Sequence, residues 1–150
     1  MGVRKRLAAE KRKEIRKTTG IARNVAVPTS PRKTRVVADL VRGMEVMQAM
    51  NILNYNAKAP AARLSKLLQS AISNWEDKSG TKIDEGTVYV KTISVDSGRM
   101  LKRLRPAPQG RGYRVRKRSN HVTIILDSIE NRKAGKMAKA ETNESDTTEA

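Results

Sequence analysis

The sequence predicts an α+β fold: three helices packed on a three-stranded antiparallel sheet, from which one long β-hairpin extends. Three observations carry this. Helical apolar spacing recurs in three consecutive segments between residues 31 and 79. Stretches rich in apolar and β-branched residues lie outside them, at 21–27, 87–95 and 121–126. Between the last two lies Gly98–Asn120, with nine basic residues, no acid, and prolines and glycines at its centre. At 150 residues the chain has room for one ordinary core.

The elements follow in order. Residues 3–18 are almost all charged or small, with Leu7 and Ile15 the only large apolar residues after Val3. That composition cannot offset ordering entropy by burial, so a solvated extension that orders on a partner is expected. The alternative is a helix lying on phosphates, and Glu14, three residues before Lys17, allows helical charge pairing. Ile21–Val27 reads as a strand ended by Pro28. Ser30-Pro31 then starts a helix, with serine capping free N–H groups and proline at the first position. On it Val36, Val37, Leu40 and Val41 share one arc, and Arg32, Arg35, Asp39 and Arg42 the opposite one, before Gly43 breaks it.

A second helix over 45–54 places Val46, Ala49, Met50 and Leu53 on a stripe, with Met47 and Met50 as core filler. Pro60 opens the longest helix, whose apolar face runs through Ala61, Leu64, Leu67, Leu68, Ala71, Ile72 and Trp75 to a stop at Ser79-Gly80. Thr87–Val95 and His121–Leu126 are strands. If they pair, a hairpin spans about 88–124 and closes near Pro106–Gly112. Arms of about 14 residues would reach about 40–50 Å. The organisation expected is a basic extension at 1–20, a domain at 21–127, and a polar, acidic-ended, disordered tail at 128–150.

Composition narrows the chemistry. A net charge of +17 in a chain only 37% hydrophobic favours a phosphate-rich partner. There is no cysteine, which removes disulfides, cysteine zinc sites and cysteine nucleophiles together. The single histidine, His121, sits among strand residues and reads as packed or hydrogen-bonded rather than as a general base. Asp77, Asp84, Glu85 and Asp96 fall near element ends, where solvated carboxylates are ordinary. No phosphate-cradling glycine loop or metal-ligand cluster is present, so neither an enzyme nor a cofactor is expected. No apolar run approaches about 18 residues, so no membrane partner is expected. Val3–Lys17 has no apolar region of a secretory leader, and a cytoplasmic location is the default expectation.

The cationic segment has a pattern. Arg114, Arg116 and Arg118 recur at period two, so a strand would project them from one face, with Tyr113, Val115 and Lys117 on the other. Arginine contacts phosphate bidentately and stacks on exposed bases. With aromatics at 3% and no Phe, single-strand binding by stacking platforms is disfavoured. The helix after Pro31 has no Asn or Gln on its Arg face for base reading, which disfavours a DNA recognition helix. Phosphate contact and shape reading of folded RNA fit better.

The motif Ser30-Pro-Arg-Lys-Thr-Arg-Val-Val-Ala-Asp-Leu-Val-Arg-Gly43 resembles the first helix of the bacterial large-subunit ribosomal protein twenty-two family. The likeness continues through Ala49, Leu53, Lys58, Ala59 and Leu67–Asn74. It resumes at Val95-Asp96, Lys102-Arg103, Pro106, Gly110-Arg111 and Lys117–His121, and covers about residues 22–127. The resemblance implies binding to several domains of large-subunit ribosomal RNA, contacts with neighbouring large-subunit proteins, a role in assembly, and a hairpin tip facing the nascent polypeptide in the exit tunnel. On that reading Lys102, Arg103, Arg111, Lys117 and Arg118 contact RNA along the arms. Arg99, Arg105, Arg114 and Arg116 join them by position, and Arg32, Lys33, Arg35 and Arg42 serve on the first helix. The tip would be Arg105, Pro106, Ala107, Pro108, Gln109 and Gly110. Ala107 and Pro108-Gln109 stand where the family often carries Arg and Lys, so this tip is stiffer and less charged.

Overall fold

The computed structural model describes residues 3–83 and 86–131. Asp84, Glu85 and most of the expected tail (132–150) lie outside the described residues. The elements are α1 (Val3–Thr18), β1 (Gly20–Val27), α2 (Pro31–Val41), α3 (Val46–Tyr55), α4 (Ala59–Ser79), β2 (Val88–Pro106), a 3-10 turn (Pro108–Gly110) and β3 (Gly112–Ser128). All strand pairs are antiparallel, in the order β1-β3-β2. The α+β fold read from the sequence is therefore the fold observed.

One face of the sheet meets α2, α3 and α4. Ala22 of β1, Val90, Ile93 and Val95 of β2, and Val122, Ile124 and Leu126 of β3 close on Val37, Val41, Val46, Leu53, Leu64 and Leu68. Alternation along the strands puts these residues inward and leaves Ile21, Arg23, Thr123 and Ile125 on the opposite face. β1 enters against α4 at Gly20, where a Cβ would stand 2.8 Å from Trp75 Cβ and 3.1 Å from the Ala71 carbonyl oxygen.

Several local expectations are corrected. Residues 3–18 form a helix, the alternative to the solvated extension expected there. The α2 arc is rotated: Thr34, Val37, Ala38 and Val41 are buried, while Val36 and Leu40 are half-exposed because the sheet meets a narrower stripe. The Ser30 side chain makes no cap; instead Thr34 donates both its N–H and its hydroxyl to the Ser30 carbonyl, at 3.1 and 3.2 Å. Met47 is exposed, and only Met50 packs against the core.

The two long strands run unbroken through body and arm. Beyond the level of Val27, Asn120 and Ser97 the sheet narrows to two strands. The free part of β2 is Gly98–Pro106, about 30 Å at 3.3 Å per residue, shorter than the arm expected.

Candidate nucleic-acid interface

The root of the arm is built around three consecutive β3 residues. Both neighbouring strands bulge there: β1 between Asn24 and Val27, β2 between Ser97 and Met100. A bulge adds one unpaired residue and sharpens the local twist, which re-aims the strands leaving it. On the β1 side Ala26 takes φ +57°, and its N–H donates to His121 Nδ1 at 3.0 Å. His121 is thus a hydrogen-bonded strand residue. On the β2 side a Cβ on Gly98 would meet Ser119 Oγ at 2.8 Å and His121 Nε2 at 3.1 Å, so the close approach requires glycine. Ser119 Oγ donates to the Arg99 carbonyl. Between them Asn120 is fully buried, and its Nδ2 lies 2.9–3.1 Å from the Thr29 carbonyl and the Thr29 and Thr34 hydroxyls. The arm therefore leaves the body in a fixed direction.

Past this root the arm has no core. All residues from Arg99 to Pro106 and from Gly112 to Arg118 are exposed. Cross-strand partners share a face. The register Lys102↔Arg116, Leu104↔Arg114 and Met100↔Arg118 puts four cations on one face. The register Leu101↔Lys117, Arg103↔Val115 and Arg105↔Tyr113 puts three on the other. The arginine ladder expected at 114, 116 and 118 is present, but the cations divide between both faces. Lys102 stands directly opposite Arg116, a like-charge pair that opposes hairpin formation. Among the described residues none of the segment's nine cations makes an ion pair. Exposed Leu101, Leu104 and Tyr113 lie between them. A two-faced cationic ribbon of this kind can lie between two polyanionic surfaces and exchange its counterions for phosphates.

The tip closes through Ala107 N–H to the Arg111 carbonyl at 2.8 Å. Gln109 (φ +60°) and Gly110 (φ +69°) both occupy left-handed conformations. Pro106 and Pro108 fix φ before and within the turn. Arg111 leaves the turn exposed, next to Gly112.

The α2 candidates divide. Arg32 and Lys33 are exposed, with no hydrogen bond or ion pair among the described residues. Arg35 donates through Nε and Nη2 to the Val95 carbonyl at 3.1 and 2.9 Å, and Arg42 Nη2 to the Ile93 carbonyl at 3.2 Å. Arg42 also pairs with Asp39 at 2.9 Å. Just below, Gly43 N–H donates to the Val90 carbonyl and Val90 N–H to the Met44 carbonyl. Together these close the outer edge of β2, the exposed strand edge that would otherwise invite pairing with another chain. Sequence reasoning missed this edge role, since the partners are 51 and 60 residues away.

At the far end of the sheet Lys91 bulges out of β2 and reaches Asp127 Oδ2 at 2.6 Å. Burial pushes the Asp127 carboxyl up. Hydrogen bonds from Asn131 and Lys91, the Lys91 charge and the Ser128 N–H outweigh this and hold it below its ordinary value. The same hydrogen bond, against some desolvation, raises Lys91. Among the described residues no acid–histidine cluster could hold a metal ion, and no helix is long and apolar enough to cross a membrane.

Residues 22–127 match the family model described as ribosomal protein L22p/L17e. The chain belongs to that family. The matched span runs from β1 to the end of β3, arm and root included. The chain is 58% identical to large ribosomal subunit protein uL22 of Bacteroides fragilis (strain YCH46) over 131 residues, 87% of this chain and 96% of that protein. It is 56% identical to uL22 of Porphyromonas gingivalis (strain ATCC 33277), covering 87% and 98%, and 55% identical to uL22 of Flavobacterium psychrophilum, covering 89% and 98%. L22p/L17e proteins are structural rather than enzymatic.

Proposed function

We propose that the chain is a structural constituent of the cytoplasmic large ribosomal subunit that binds large-subunit ribosomal RNA through its two-faced arm. The observation that carries this is the arm itself: nine unpaired cations on a coreless ribbon aimed outward by a rigid root. In this reading Arg99, Lys102, Arg103, Arg105, Arg111, Arg114, Arg116, Lys117 and Arg118 hold RNA phosphates from both faces, supporting assembly by joining separate RNA segments. Arg32 and Lys33 add contacts from α2, while Arg35 and Arg42 act first as edge ties and offer only their remaining donors. The tip from Arg105 to Gly110 lines the nascent-peptide tunnel, and residues 21–127 form the ribosomal domain between two flanking segments.

The test is binding of the full chain to transcribed large-subunit RNA across a salt series. Counterion release predicts a log–log slope of about −5 or steeper, with folded RNA outcompeting duplex DNA. A flat salt response, or clear preference for DNA, would overturn the reading.

A further inference from the structure

A second cationic surface lies where α1, which precedes the span that matches the family, meets the sheet. A groove of about 530 Å³ runs between α1 and the sheet face turned away from α2–α4. Its floor is Ile21, Thr123 and Ile125, neighbours on β1 and β3. Its walls are Arg12 and Arg16, one turn apart on α1, and Arg23 on β1. None of these three guanidinium groups makes an ion pair among the described residues, and no acid lines the groove.

The groove has a fixed shape. Lys78, near the end of α4, donates from Nζ to the Arg16 and Thr19 carbonyls, both at 2.8 Å. The Arg16 carbonyl is one of the last in α1, which have no partner within the helix, so Lys78 ties down the helix end and favours its dipole. α1 is thereby held beside the sheet, and Arg12 and Arg16 are held over the apolar floor.

Three converging cations over half-buried isoleucines suit a chain that alternates charge with flat apolar surface. We infer that this groove binds an RNA strand, with phosphates on Arg12, Arg16 and Arg23 and a ribose or base face against Ile21 and Ile125. An acidic peptide would satisfy the charges, but the floor is an open shelf between two strands rather than a set of side-chain pockets. Planar guanidinium groups also stack on bases as well as pairing with phosphate. The inference rests on the RNA-binding reading and adds a contact on the face opposite the helices.

The test compares two charge-matched variants of the full chain on transcribed large-subunit RNA. One is Arg12→Gln, Arg16→Gln, Arg23→Gln; the other, on a different side of α1, is Arg6→Gln, Lys13→Gln, Lys17→Gln. The groove variant should flatten the log–log salt slope by about 2 and weaken binding roughly tenfold or more at moderate salt. The other variant should change the slope by less than about 1. Unchanged far-ultraviolet circular dichroism confirms that α1 persists in both. Equal losses in the two variants, or none in the groove variant, overturn the groove while leaving the arm's RNA binding intact. Displacement of the RNA effect by poly-glutamate at equal charge, lost only in the groove variant, would assign the groove to an acidic protein partner instead. Absence of RNA binding by the unmodified chain would overturn both this inference and the reading beneath it.

Discussion

From Val88 to Val95, β2 turns one side toward α2 and α3, and Val88, Val90, Ile93 and Val95 lose nearly all contact with water. From Arg99 to Pro106 the same strand, paired to the same partner, buries nothing. The body follows the ordinary logic of burial. The arm keeps the hydrogen-bonded ladder but lacks the apolar area that makes a ladder stable, and an isolated two-stranded hairpin is marginal in water. Its opposed Lys102 and Arg116 weaken it further. Backbone pairing thus specifies the arm's shape, while its stability is left to whatever neutralises it. The double bulge at Ser119–His121 is where one regime passes into the other.

The largest effect expected from separating the regions is on binding. Replacing residues 100–118 by a two-residue turn should leave the body's cooperative melting in place while lowering RNA affinity about 1000-fold or more. Thermal melting and filter binding on the same sample check both halves. If the body unfolded, the arm would have to be part of the core.

Truncation within each region should differ next most. Leu64→Ala, in the sealed core, should cost about 2–5 kcal/mol in denaturant unfolding. Leu104→Ala, 76% exposed on the arm, should stay within about 0.5 kcal/mol. Similar costs at the two sites would erase the distinction.

The smallest effect concerns the body end farthest from the arm. Asp127→Ala should cost about 1–3 kcal/mol, since it removes the acceptor for Lys91, Asn131 and the Ser128 N–H. The Asp127 carboxyl lies below its ordinary value in the fold, so its stabilisation is present above about pH 4 and fades as pH falls through that lowered value. Raised Lys91 keeps its share until pH climbs beyond the ordinary lysine value of about 10.4. Acid titration should therefore narrow the gap between the parent and Asp127→Ala chains as pH falls below about 4. A gap that does not narrow on acidification would remove this carboxylate from the account.

Most of the body was legible because its signals are local. The apolar stripe through Leu64, Leu67, Leu68 and Ala71, the Pro60 start and the β-branched run at 122–125 each sit within one element. The family motifs of α2 and the arm were legible for the same reason. What escaped depended on distant partners or on register. For α1 a solvated extension was preferred to a helix from its lack of apolar area, yet 3–18 contains neither Gly nor Pro and is rich in strong helix formers, and its anchor Lys78 is 62 residues from Arg16. Arg35 and Arg42 were read only as RNA contacts because nothing nearby in sequence reveals the β2 edge they close. Lys117 was placed opposite the arginine ladder, but which face Lys102, Arg103 and Arg105 join depends on the β2–β3 register.

Hydrogen exchange on the free chain and on the chain bound to transcribed large-subunit RNA tests the central claim most directly. In the free chain, the amides of 100–118 should exchange far faster than those of Val90, Val122 and Ile124, which open only with global unfolding. Binding RNA should slow the arm by orders of magnitude while leaving the body amides nearly unchanged. Arm amides already protected to the body's level in the free chain, or unprotected when RNA is bound, would contradict an arm that is shaped by its own ladder and stabilised by RNA.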